Sequence, residues 1–153
     1  VYAVGDVNGG PQFTYISLDD FRIVFGALTG NGQYTLKDRK NIPYTTFLTP
    51  PLARVGLTEE DAINKGYTVK TKEMLVATMP RAHVNDYLKG AFKIVVNAEN
   101  NLILGATLYS QGAEELINLI KMAMDNNIPY TYFKNQIFTH PTMAENLNDL
   151  CNF

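Results

Sequence analysis

Two runs near the middle of the sequence, AFKIVVN (91–97) and LILGATLY (102–109), restrict the fold more than any other feature. Phe92, Ile94 and Val96 alternate with Lys93 and Asn97, which is the two-residue period of a strand with one buried face. The residues between the runs, AENN (98–101), leave room only for a tight reversal. An antiparallel hairpin follows. A hairpin alone is at best marginally stable in water, so further strands and a covering layer are required.

The surrounding sequence supplies both. LARVG (52–56) is a short β-compatible run, Phe47 lies in another, and YTVKTKEMLVATM (67–79) reads as extended because Thr68, Val69 and Thr71 favour strands. Leu116, Ile117, Leu119, Ile120, Ala123 and Met124 recur at helical spacing and predict a long helix over 111–126. Its apolar face would serve equally as core or as interface. Shorter helices are expected around 132–138 and after Thr142. TEED (58–61) has the spacing of a capping box, with Leu57 and Ala62 placed as a hydrophobic staple and Gly66 as the stop. The order ββαβββααα, built on hairpins rather than βαβ units, predicts an α+β domain over residues 42–153, an antiparallel sheet with helices packed on one side.

Residues 1–41 read differently. VYAV (1–4) is strand-like, VNGGPQ (7–12) carries turn chemistry, and a helix-like pattern follows Thr14. The polar, Gly-rich stretch 26–41 reads as a link between two units. Because the sequence opens on a strand-like run, Val1 is expected to be a boundary within a longer protein.

Composition excludes several classes of function. A formal net charge of -2 gives no electrostatic case for nucleic acid or an anionic membrane surface. No apolar run approaches the ~20 residues that span a bilayer, and the first residues lack the basic-then-apolar pattern of a secretion signal. Cys151 is the sole cysteine, so neither an internal disulfide nor a multi-thiolate metal site can form. The cytoplasm is the default compartment.

Two constellations could carry chemistry. In the first, Asp6 ends the strand-like run, and a helix start at Thr14 presents free N–H groups and partial positive charge. A carboxylate there can accept hydrogen bonds from a polyol, although an Asp completing a turn is the plainer reading. The second is THPTMAEN (139–146). Thr142 and Glu145 have capping-box spacing, which makes Thr142 the N-cap and sets Glu145 three positions inside a helix. Pro141 holds His140 in the loop outside that helix. Glu145 could then reach the imidazole and fix its tautomer, or it could simply cap. His83 reads as a surface residue and Cys151 as a packing residue.

Taken together these pieces resemble a family. VYAVGDVNGGPQFTYISLDDFR (1–22) is similar to the final FAD-contacting segment of the pyridine nucleotide-disulfide oxidoreductases, the group of glutathione reductase, dihydrolipoamide dehydrogenase and mercuric reductase. TPPLARVGLTEEDA (49–62), NLILGATLYSQGAEELI (101–117) and THPTMAE (139–145) are similar to three successive signatures of that family's dimerisation domain. The resemblance implies that Asp6 binds the ribityl chain of FAD and that the backbone amide at Thr14 faces the pyrimidine edge of the flavin. It implies that His140 is the active-site base, with Glu145 as its partner, working on the redox dithiol of the other subunit of a homodimer. The parent would be an FAD-dependent NAD(P)H oxidoreductase of a disulfide or related oxidised sulfur compound. This chain lacks the glycine fingerprint, the redox cysteine pair and the nicotinamide domain, so by itself it is expected to be inactive and to bind neither FAD nor NAD(P)H. The alternative is a purely structural dimerisation module in which His140 has no catalytic role. TYIS (14–17) stands where the family usually has Thr-Pro-Val-Ala, and TYISLDDFRI (14–23) is similar to a bacterial branch that includes a hypothiocyanous-acid reductase. The lone Cys151 departs from the paired C-terminal cysteines of mercuric reductase.

Overall fold

The hairpin forms the centre of a five-stranded antiparallel sheet in the computed structural model, which describes residues 1–153. The chain divides into two units, Val1–Lys40 and Asn41–Phe153.

In the second unit the strands are β1 (Tyr44–Thr46), β2 (Leu52–Gly56), β3 (Val69–Leu75), β4 (Ala91–Asn97) and β5 (Ile103–Tyr109), in the spatial order β1-β2-β5-β4-β3. Ala53 pairs with Leu108 and Leu108 with Phe92, and this row continues to Met74. Ala53, Phe92 and Leu108 have no exposed surface and form the middle of the core. The next row outward, Arg54, Thr107, Lys93 and Glu73, points to the opposite face by the alternation of the pleat.

The long helix is α4 (Ala113–Asp125). Leu116, Ile117, Ile120 and Ala123 face the core, while Leu119 and Met122 remain exposed. Its apolar surface is therefore core along one stripe and free along another. Helices α5 (Tyr130–Lys134) and α6 (Asn146–Leu150) close the same core through Tyr130, Phe133, Leu147 and Leu150. The α+β architecture is thus the one expected from the order of elements. The small α2 (Glu59–Asn64) meets the opposite face, where Glu59 pairs with Lys93 at 2.6 Å.

Several local features depart from the sequence reading. Asn97 is buried rather than outward-facing. A register shift between Val95 and Val96 interrupts the alternation, so that Ile94, Val95, Val96 and Asn97 are all buried. Gly105 lies at this shift because the backbone of residue 57 crosses it closely: an added Cβ would sit 2.1 Å from the Leu57 carbonyl oxygen. Asn97 compensates for its burial by accepting a hydrogen bond from the Glu99 N–H at 2.8 Å. A further helix, α3 (Pro80–Val84), follows β3 and a single 3-10 turn at Val76–Thr78. Pro80 at its first turn was the available signal, since proline's fixed φ suits a helix start.

The capping box at Thr58 is present as read. Thr58 Oγ1 accepts from the Asp61 N–H at 3.0 Å, and Asp61 Oδ2 accepts from the Thr58 N–H at 3.3 Å. Replacing Thr58 by alanine is expected to cost about 1 kcal/mol of stability in chemical denaturation, with the far-ultraviolet dichroism of the folded chain nearly unchanged.

In the first unit, residues 1–4 form no strand. A strand needs a neighbour for its backbone donors and acceptors, and this unit offers none. The chain instead makes one 3-10 turn at Gly5–Asn8 and then α1 (Thr14–Thr29). Helix α1 extends into the stretch read as linker and stops at Gly30, whose left-handed φ of 77° carries the C-terminal cap. No helix in the chain is long and apolar enough to cross a membrane.

Candidate functional site

His140 lies in the loop between α5 and α6, before a cis peptide bond to Pro141. Its Nδ1 is 2.8 Å from Glu145 Oε2. The imidazole is 68% exposed and Glu145 only 17%. With Nδ1–H directed at the carboxylate, Nε2 is the ring nitrogen left to take up or release a proton.

Glu145 performs both tasks that the sequence left as alternatives. Its Oε2 holds the imidazole, while its Oε1 accepts from the Thr142 N–H at 3.2 Å. Thr142 Oγ1 in turn accepts from the Glu145 N–H at 3.2 Å and donates to the Thr139 carbonyl at 2.7 Å. The reciprocal capping bonds exist, but the regular helix does not begin at Thr142. It starts at Asn146, with Glu145 as the N-cap residue. The chain between them is closed by tighter turns, with the Asn146 N–H donating to the Met143 carbonyl at 3.4 Å and the Leu147 N–H to the Ala144 carbonyl at 3.0 Å. The buried Asn146 Nδ2 also donates to the carbonyls of Thr142 and Met143, each at 3.1 Å, and so competes for acceptors of that turn.

The motif is fastened from three directions. Asn148 Nδ2 donates to the carbonyls of Phe133 at 2.6 Å and Gln136 at 3.0 Å, tying α6 to the end of α5. Lys72 on β3 donates to the carbonyls of Asp149 at 2.7 Å and Asn152 at 2.6 Å, where a helix C-terminus favours a cation. Leu147, Leu150 and Cys151 anchor the inner face of the segment in the core. Burial pushes the Cys151 thiol up to about 12, which makes it a packing residue rather than a nucleophile. His83 is exposed, with Nε2 2.8 Å from the Ala77 carbonyl and no carboxylate partner.

Asp6 and Thr14 belong to the first unit. Asp6 sits exposed in the 3-10 turn, and its carbonyl accepts from the Gly9 N–H at 3.2 Å. Thr14 is the first residue of the 16-residue α1, where helix geometry leaves N–H groups without intrahelical partners. Sequence reasoning missed the residues that organise this unit, Asp19, Asp20 and Arg39. Asp20 is 4% exposed and shares the inner face of α1 with Ile16. It accepts from the Gly5 N–H at 2.8 Å, from Asn8 Nδ2 at 2.7 Å and from the Arg39 guanidinium. Arg39 Nε also donates to Asp19 at 2.6 Å. The Arg39 hydrogen bond, joined by that from Gly5, holds the Asp20 carboxyl below the usual carboxylate range. The signal was a carboxylate four residues after Ile16 on a buried helix face, which demands a cation.

Residues 42–151 match the dimerisation domain of the pyridine nucleotide-disulphide oxidoreductases. The chain belongs to this family. It is 49% identical over 150 residues to the probable pyridine nucleotide-disulfide oxidoreductase RclA of Escherichia coli K12, covering 98% of this chain and 34% of that protein. It is 36% identical over 147 residues to a mercuric reductase of Staphylococcus aureus, covering 96% of this chain and 27% of that protein. The solved structure of the HOCl-induced flavoprotein disulfide reductase RclA from Escherichia coli superposes with a TM-score of 0.95 over 98% of this chain and 34% of its own. The chain therefore spans only a minor part of the length of these relatives.

Proposed function

We propose that this chain is the C-terminal part of a flavin-dependent NAD(P)H oxidoreductase acting in the cytoplasm on a disulfide or a related oxidised sulfur compound. Residues 1–41 would end its FAD-binding domain and residues 42–153 would be its dimerisation domain. The observation that carries the reading is the His140–Glu145 pair, an exposed imidazole bonded through Nδ1 to a carboxylate in a domain of this family.

The donor set of the first unit fits a flavin dinucleotide. Asp6 offers an exposed carboxylate to a ribityl hydroxyl, and the N–H groups at Thr14 offer partial positive charge to the electron-rich pyrimidine edge, worth roughly 0.3–1 kcal/mol. Bound FAD would supply two-electron exchange between NAD(P)H and the disulfide. The residues of this chain handle the proton. His140 Nε2 takes the proton of a thiol on the partner subunit, so that a thiolate can attack, and then returns it to the departing substrate thiol. Glu145 keeps Nδ1 protonated and the ring aimed throughout. By themselves these residues lack a redox dithiol, so the isolated chain is read as inactive.

Exposed Phe47, Leu119, Met122 and Ile137 on the second unit supply the apolar surface an obligate homodimer needs. A subunit-complementation experiment tests dimer and mechanism together. Full-length His140→Ala subunits, co-expressed with subunits lacking the redox cysteine pair, are expected to yield mixed dimers with turnover that neither parent shows. Mixed dimers as inactive as both parents would refute a histidine that serves the opposite subunit.

A second reading is favoured by the capping bonds between Thr142 and Glu145, which already give Glu145 a structural use. In it the chain only dimerises and His140 takes no part in turnover.

A further inference from the structure

We infer that Asp20 is a positioning residue for Asp6, holding the turn that carries Asp6 in the shape its ligand requires. This rests on the reading of Asp6 as a contact to the flavin's polyol chain. A single oxygen, Asp20 Oδ2, accepts both the Gly5 N–H at 2.8 Å and Asn8 Nδ2 at 2.7 Å. Those donors stand on either side of Asp6 in the chain, one residue before it and two after. Asn8 relays the constraint onward, since its Oδ1 accepts from the Gly10 N–H at 2.8 Å. Asp6 itself is exposed, and its carboxylate takes no part in these three bonds.

The carboxylate that does this is not free to move. Arg39 binds Asp20 Oδ1 and, through Nε, Asp19 Oδ2, so the guanidinium bridges adjacent carboxylates of α1. A buried ion pair is a weak source of stability in itself, because replacing both partners by well-packed apolar residues is often neutral or stabilising. What Asp20 provides and a leucine cannot is one fixed conformation for a turn of polar backbone. The electrostatic lattice converts the rigidity of a helix into the rigidity of a loop, and the loop delivers Asp6.

The test is a double-mutant cycle on FAD affinity in the full-length flavoprotein, with dissociation constants measured by flavin fluorescence. Asp6→Asn and Asp20→Asn are each expected to weaken FAD binding about tenfold. The double variant is expected to bind no more weakly than Asp6→Asn, because Asp20 acts only through the turn that carries Asp6. Additive losses would overturn the inference, since they are what a merely structural role produces. A weakened Asp6→Asn beside an unaffected Asp20→Asn would overturn it while leaving the reading of Asp6 intact. An unaffected Asp6→Asn would remove that reading and the inference with it. Should Asp20→Asn fail to fold, Asn8→Ala decides, because it keeps the Asp20–Arg39 pair and releases only the turn. Its weakening of FAD binding is expected to vanish in the Asp6→Asn background, and full affinity in Asn8→Ala would count against the inference.

Discussion

Replacing His140 by alanine in the full-length flavoprotein is expected to lower the turnover number by about 10²–10⁴ while leaving the fold intact. Both halves of this expectation come from the geometry. The imidazole is 68% exposed, and its one bond is to a carboxylate that remains bonded to the Thr142 N–H. Its removal is thus a surface substitution, expected to change stability by no more than about 0.5 kcal/mol. Activity is a different matter. Nε2 is the atom proposed to move the thiol proton, and alanine offers nothing in its place. The pH dependence of turnover should change as well, because the proposed proton carrier is gone. Glu145→Gln makes a graded companion, since its amide oxygen can still cap Thr142 but no longer places a charge beside the ring. It should reduce turnover less than His140→Ala does. Stopped-flow and steady-state measurements across pH check both variants. A turnover number and pH profile left untouched by His140→Ala would favour the purely structural module.

The second large effect concerns the dimerisation domain itself. Phe92→Ala is expected to destabilise it by about 3–5 kcal/mol, a large share of the roughly 5–15 kcal/mol that holds an ordinary domain together. Phe92 has no exposed surface and lies in the central row of the sheet between Leu108 on β5 and Met74 on β3. Neighbours on two strands and in the rest of the core cannot all collapse into the space its ring would leave. Urea denaturation of the chain measures the loss. Val84→Ala is the control: Val84 is 64% exposed, so its truncation should leave the folding midpoint nearly unchanged. A cost for Phe92→Ala below about 1 kcal/mol would mean that the core is not centred where the structure puts it.

What could be read in advance was local. The Thr58–Asp61 capping box spans four residues, and all its chemistry is contained in that interval, so spacing alone found it. The β4–β5 hairpin was legible because its connection is too short for any other pairing. Glu145 was within reach of His140, five residues away, although spacing left open whether it would reach the ring or only cap. The errors were non-local. Residues 1–4 have strand-forming side chains but no strand beside them. Asn97 fits a solvent-facing position until a register shift two residues earlier turns it inward. Helix α6 begins at Asn146 instead of Thr142, after a turn whose carbonyls also accept from the buried Asn146 amide.

The sequence by itself determined the class of fold, the hairpin at its centre, and the presence of an imidazole with a carboxylate within reach. These follow from periodicities and short spacings, which operate over one or two turns of chain. Only the tertiary structure decided that Glu145 both caps and orients, and that Asp20 and Arg39, 19 residues apart, fix the turn around Asp6. It also decided that Lys72 fastens the far end of α6. For Asp20 the physical reason is burial: a buried carboxylate must find its partners wherever the fold brings them, and no rule of local spacing names Arg39. Lys72 meets the end of α6 only because the sheet brings residues 77 and 80 positions apart together, and Glu145 has two oxygens whose division between capping and orienting spacing leaves open.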